Sequence, residues 1–227
     1  MRILAALLFV YSTATAADLL IAAASDLAPI APKLEQTYNE KIKFTLASSG
    51  SLKQQIENGA PFDIFLSANE QYVKDLAAEG LVTDSTVYAI GRLGLYGVKS
   101  IDDLKNVTHL AIPNPQHAPY GVAAKQALES KGLWKIVEPK IVYGENVRQA
   151  LQFQESGNAD AVITSWTLLI GKGLLLPAEW HSPILQTGAV VKSSAQIDTA
   201  RRFLAFLRSN KAQKVLNDCG LWSFKSP

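Results

Sequence analysis

Cysteine is almost missing from the 227-residue chain: a single one, Cys219, is present. An intramolecular disulfide is therefore excluded, and no CxxC or Cys/His cluster exists to hold a structural zinc. Histidine is scarce too. His109, His117 and His181 lack acidic or cysteine partners at ligand spacing and read as ordinary surface or core residues. Charge of one sign is also lacking, since Lys+Arg 22 stand against Asp+Glu 20 and the basic residues are scattered. That pattern carries no electrostatic footprint for DNA or RNA. Catalytic fingerprints are missing as well. No Gly-x-Ser-x-Gly nucleophile elbow occurs, and Gly171-Lys172 lacks the upstream glycine of a phosphate-cradling loop because Trp166 stands there. Gly91, Gly94 and Gly97 are spaced three apart, which is not the dinucleotide fingerprint and suits tight strand packing or a hinge.

A chain that is 48% apolar and 19% charged can bury a substantial core, in one large domain or two small ones. Its first residues read as an address. Met1-Arg2 give a positive end, Ile3 to Val10 an apolar run, and Ala14-Thr15-Ala16 a small-x-small cleavage pattern, the build of a secretory signal cleaved after Ala16. Ser12, Thr13 and Thr15 interrupt the run well short of the roughly 20 residues that a membrane span needs. Ala17 and Asp18 follow, so no cysteine is placed for lipid attachment. The expected product is free in the periplasm or secreted.

Beyond the signal, apolar runs of strand length alternate with helical spacing. Leu19 to Ala24 leads into Ser25-Asp26 and a helix carrying Leu27, Ile30 and Leu34. Ile42 to Leu46 leads into Ser48-Ser49-Gly50-Ser51 and a helix with Leu52 and Ile56, and Ile64 to Ser67 into a helix with Tyr72, Val73 and Leu76. Such repeated units predict an α/β fold with a parallel sheet. A Gly-punctuated strand from Ile90 to Val98 marks a crossover, and a second series follows: a strand at His109 to Ile112, a helix from about Tyr120 to Lys131, a strand at Ile141 to Tyr143, a helix from Asn146 to Ser156 and a strand at Ala161 to Thr164. Pro177 and Pro183 mark an irregular stretch, Ala189 to Val191 a return strand, and two helices at about Gln196 to Leu207 and Lys211 to Asp218 finish the chain. The predicted lobes are residues 17–90 plus 189–227, and 91–188.

Hydroxyl-rich or small residues open the helices of both series: Ser25, Ser48 to Ser51, Pro119-Tyr120-Gly121 and Glu145-Asn146-Val147. Helix N-termini carry unsatisfied N–H groups and the positive end of the dipole, and so form anion sites. Plain N-capping explains each one singly, whereas their convergence across one cleft would make an oxyanion site.

Several segments in fixed order carry a wider likeness: Ala22-Ala23-Ala24-Ser25, Ala47-Ser48-Ser49-Gly50-Ser51-Leu52, Gly59-Ala60-Pro61-Phe62-Asp63-Ile64-Phe65, His117-Ala118-Pro119-Tyr120-Gly121 and Glu145-Asn146-Val147-Arg148. From about Leu19 to Phe224 the chain resembles the periplasmic molybdate-binding proteins of ABC importers. The resemblance implies a two-lobed type II periplasmic binding protein with two hinge crossings and a cleft. It also implies a tetrahedral oxyanion, molybdate or tungstate, held through Ser25 and Ser49 by hydroxyl and N–H and through the backbone N–H groups of Tyr120 and Val147, with no direct protein–metal ligand. The family's tyrosine donor is replaced, because Ala161-Val162-Ile163 runs into Thr164-Ser165-Trp166 and puts Thr164 in its place. Implied too are a monomer, no cofactor, no nucleic acid, delivery to an ABC membrane permease and no enzymatic activity. Donors alone favour a fully ionised oxyanion over phosphate, which keeps a proton near neutral pH. Sulfate, thiosulfate or chromate on the same architecture is an alternative ligand, and an exported Ser-dependent hydrolase a remote alternative function.

Overall fold

The computed structural model describes residues 18–224, and the signal expected over residues 1–16 lies outside the described residues. Among the described residues no helix is long and apolar enough to cross a membrane. The chain opens with β1 (Leu19–Ala24), α1 (Ala31–Thr37), β2 (Ile42–Ala47), α2 (Ser49–Glu57), β3 (Ile64–Ser67) and α3 (Glu70–Ala78). β1 lies between β2 and β3, parallel to both, and is buried along nearly its whole length, as its unbroken apolar run requires. On β2, Ile42, Phe44 and Leu46 turn to the core while Lys43 and Thr45 face solvent, the period-2 pattern of an edge strand.

β4 (Val82–Gly91) completes the outward path, and at Arg92 the chain passes into β5 (Leu93–Tyr96) of a second sheet. That sheet takes β6 (Leu110–Pro113), α4 (Pro119–Ser130), α5 (Trp134–Val137), β7 (Ile141–Gly144), α6 (Val147–Glu155), β8 (Ala161–Ser165) and β9 (Leu174–Leu175). The chain returns through β10 (Ile184–Val191) and ends with α7 (Ile197–Leu207), α8 (Asn210–Asp218) and β11 (Trp222–Ser223). The strand orders are β11-β4-β10-β3-β1-β2 and β7-β6-β8-β5-β9.

The return into the first sheet comes earlier than the expected division at 188/189. Ile184 already pairs with Gly91, and the antiparallel ladder runs on through Thr187 and Gly188 across irregularities in register. Pro183 and the polar Gln186-Thr187 resemble a loop in sequence, yet Gln186 and Thr187 are buried strand residues. The first sheet is packed on both faces, by Phe203, Leu204 and Leu216 of α7 and α8 on one and by Leu52, Ile56, Val73 and Leu76 of α2 and α3 on the other. The second has Ala123, Ala127 and Leu128 of α4 on one face and Ala150 and Leu151 of α6 on the other. Asp63 fastens the first sheet by accepting from Leu20 N–H at 2.7 Å and from the Ser194 hydroxyl at 2.5 Å. Trp134 and Trp180 lie partly buried on the second core, whereas Trp222 is exposed beneath the Arg92 guanidinium, 4.9 Å from the ring.

Candidate functional site

Both sheets direct the carboxyl ends of their parallel strands, and the helix starts that follow, toward one place between them. Ser25 follows β1 directly and opens a 3-10 turn, Ser25–Leu27. Ser48 caps α2: its Oγ accepts from Ser51 N–H at 3.3 Å and lies 2.7 Å from Ser51 Oγ. Ser49, the first residue of α2, is free of that duty. Its Oγ accepts from Ala68 N–H at 3.0 Å, which leaves the hydroxyl proton to be donated elsewhere. From the other side, Pro119 starts α4 with Tyr120 next, a position suited to a proline that has no N–H to lose. Asn146 caps α6 by accepting from Arg148 and Gln149 N–H, so Val147 is the first helical residue. The N–H groups of Ser49, Tyr120 and Val147 fall in first turns, where no intrahelical acceptor exists.

These starts enclose a cavity of about 10 Å³ lined by Ser25, Asp26, Ser48 and Ser49 on one side and by Pro119, Tyr120, Asn146 and Val147 on the other. It is a small, polar-lined space with room for little more than one water-sized sphere. A larger groove beside it, about 260 Å³, runs past Asn69, Gln71, Gln126 and Ser182 and includes neither Ser25 nor Ser49. The cleft is held shut across the cavity by Gly50 N–H, which donates to the His117 carbonyl at 2.9 Å. Only glycine allows this approach, since a Cβ on residue 50 would stand 2.7 Å from that oxygen. His117 in turn lies 3.1 Å from Glu145 through Nε2. The contact between the two sides is thus made by the His117 backbone, while its partly exposed imidazole bonds within its own side, as an ordinary histidine does.

Asp26, read in sequence only as part of a helix cap, is 1% exposed and part of the cavity wall. Its Oδ2 accepts from Tyr120 Oη at 2.9 Å and from Gln186 Nε2 at 2.8 Å, and its Oδ1 is buried without a partner. Tyr88 Oη donates to Gln186 Oε1 at 3.3 Å, and the Thr167 hydroxyl donates to the Asp26 carbonyl at 2.7 Å. Burial pushes the Asp26 carboxyl up to about 7 against the opposing pull of the hydrogen bonds it accepts. Burial, and then the neighbouring Asp26, hold the Tyr120 and Tyr88 phenols well above the ordinary tyrosine range. This cluster is built from residues 26, 88, 120 and 186, so no local motif announces it.

Of the residues expected at the site, Ser25, Ser49, Tyr120 and Val147 line the one cavity, and Thr164 does not. Its side chain is fully buried and donates to the Val147 carbonyl at 2.9 Å. A threonine is too short to extend past the α6 start as a phenol would, so it props that start from behind. Ser165 turns to Thr167, 2.9 Å away, and the Tyr120 phenol goes to Asp26. The expectation of a donor-only site is likewise corrected, because the Asp26 carboxyl belongs to the wall.

The model of the family described as "Bacterial extracellular solute-binding protein" matches residues 18–221. The chain belongs to this family of solute-binding proteins. Among curated relatives of this solute-binding protein, the molybdate-binding protein ModA of Rhodobacter capsulatus is 30% identical, over 91% of this chain and 89% of the relative. ModA of Azotobacter vinelandii is 32% identical, over 91% and 90%. Among solved structures, the periplasmic molybdate-binding protein of Azotobacter vinelandii superposes with a TM-score of 0.86 at 28% identity, covering 92% of this chain and all of that one. The fold of this solute-binding protein is that of the periplasmic binding proteins.

Proposed function

We propose that this solute-binding protein captures molybdate, or the isostructural tungstate, outside the cytoplasm and hands it to an ABC permease. The observation that carries the reading is the convergence of Ser25, Ser49, Tyr120 and Val147, from both sides of the cleft, on one small cavity. The names of the ModA relatives support it. Each oxyanion oxygen would exchange water for a fixed donor: the Ser25 and Ser49 hydroxyls on one side, and the Tyr120 and Val147 N–H groups on the other. The metal keeps its own four oxygens and bonds to no side chain. Closure is favoured because donors from both sides act together only in the closed form. Binding and release complete the cycle without covalent chemistry. We also propose that the chain works as a monomer exported by a cleaved signal at residues 1–16, and that its two lobes divide near Arg92 and Pro183.

Thermal unfolding with a panel of oxyanions tests the assignment. Molybdate or tungstate at about 100 times its dissociation constant adds roughly 2.7 kcal/mol, which raises the melting temperature of a chain this size by roughly 5 to 10 °C. Sulfate and phosphate should do clearly less. The same melting temperature with and without either metal oxyanion contradicts the assignment.

A further inference from the structure

We propose that Asp26 is a specificity-determining residue of the cavity that enters the closed state as a neutral carboxylic acid, so that capture of a dianion takes up one proton from solvent. The proposal rests on the oxyanion reading above and deepens it. Three features of the geometry support it. First, the carboxyl is sealed between the 3-10 turn that carries Ser25, the start of α4, and the strands β4 and β10 that link the two sheets. Second, its two oxygens are unequally used. Oδ2 accepts from Tyr120 and Gln186, whereas Oδ1 has no partner, so a proton on Oδ1 would be left to donate to an oxygen of the bound dianion, which a bare carboxylate oxygen could only oppose. Third, Asp26 shares a wall of one small cavity with Ser25 and Ser49. A dianion there and an ionised carboxylate would repel each other at close range in a small, largely buried space.

Among the described residues no cation is paired with Asp26. The titratable groups facing Asp26 are Tyr88 on β4 and Tyr120 on α4, which burial keeps neutral. Gln186 on β10 and Thr167 on the turn after β8 are uncharged, and Arg148 on α6 is exposed. The rise of the Asp26 carboxyl to about 7 from burial is of the expected sign. In an open cleft the same carboxyl meets water and ionises in the ordinary carboxylate range. Closure therefore binds a proton between that range and about 7, and affinity falls as pH rises through this window, then levels off. A neutral Asp26 also restores a site without a strong acceptor, which disfavours hydrogen phosphate. An ionised Asp26 would welcome the proton that hydrogen phosphate carries.

The test is calorimetry of the protein and of Asp26→Asn with molybdate at about pH 6, between the ordinary carboxylate range and the raised value, in buffers of different ionisation enthalpy. Uptake close to one proton per molybdate is expected for the protein and close to none for Asp26→Asn. Affinity should fall by up to about tenfold per pH unit toward neutrality in the first and stay level in the second. No uptake by the protein, or equal uptake by both, overturns the proposal. If neither protein binds molybdate or tungstate, the oxyanion reading fails and the proposal falls with it, whereas binding without proton uptake overturns the proposal alone. Infrared spectroscopy at about pH 6, where exposed carboxyls are ionised, gives a second readout: a neutral-acid band that appears in the protein on molybdate binding and not in Asp26→Asn supports the proposal, and absence of that band overturns it.

Discussion

On the side of the first sheet, the donors proposed for Ser25 and Ser49, both of which line the cavity, include hydroxyls as well as backbone N–H groups. On the side of the second, the donors proposed for Tyr120 and Val147 are backbone N–H groups alone, with the Tyr120 phenol committed to Asp26 and the Val147 carbonyl held by Thr164. A hydroxyl donor can be deleted by one substitution, whereas a backbone donor can only be misplaced. Substitutions on the first side should therefore act directly on the ligand, and those on the second through the position of a helix start.

Ser49→Ala sharpens this contrast most. Losing a hydrogen bond to a charged ligand costs about 1.5–3 kcal/mol, or about 10- to 150-fold in affinity. The Ala68 N–H, which Ser49 Oγ now accepts, is also left without its partner, so some melting temperature is lost too. Ser51→Ala should leave affinity nearly intact, because the Ser51 side chain is turned to the Ser48 cap. Equal losses of affinity at residues 49 and 51, measured by calorimetry, would erase the distinction.

Gly50→Ala tests whether closure is what joins the two sides. The added methyl meets the His117 carbonyl and touches neither core, and overpacking of this kind costs about 1–3 kcal/mol. Affinity should drop by about 5- to 150-fold while the ligand-free melting temperature stays near that of the parent. Tight binding by this variant would mean that the cleft need not shut at Gly50.

The smallest effect is expected at Thr164. Thr164→Val removes one hydrogen bond to the Val147 carbonyl, worth about 0.5–1.5 kcal/mol of stability, and should change affinity only a few-fold because the Val147 N–H remains. A loss as large as that of Ser49→Ala would place the residue 164 side chain on the ligand after all.

Much of the fold was legible because strand and helix periods follow one another with little interruption, and because Ser48 and Asn146 begin helices in the way their side chains favour. The first half of β4 was not, since Thr83-Asp84-Ser85-Thr86 is polar and Asp84 takes a positive φ of 53°. These residues join the sheet through the ladder with β10, a long-range pairing without a local signature. At the site, the order of motifs led to Ser25, Ser49, Tyr120 and Val147. That order also led to Thr164, where a shorter side chain bonds to backbone behind the cavity. Asp26 escaped notice because an aspartate after a strand reads as a cap. Its partners, Tyr120 and Gln186, lie 94 and 160 residues away.

The most direct test is a crystal structure of the protein grown with molybdate, with the metal located by its anomalous scattering. The account expects one molybdate in the cavity between the sheets, its oxygens within hydrogen-bonding distance of Ser25 Oγ, Ser49 Oγ and the N–H groups of Tyr120 and Val147, and no side chain bonded to the metal. A metal peak outside this cavity, or a molybdate held there without both serines, would contradict it.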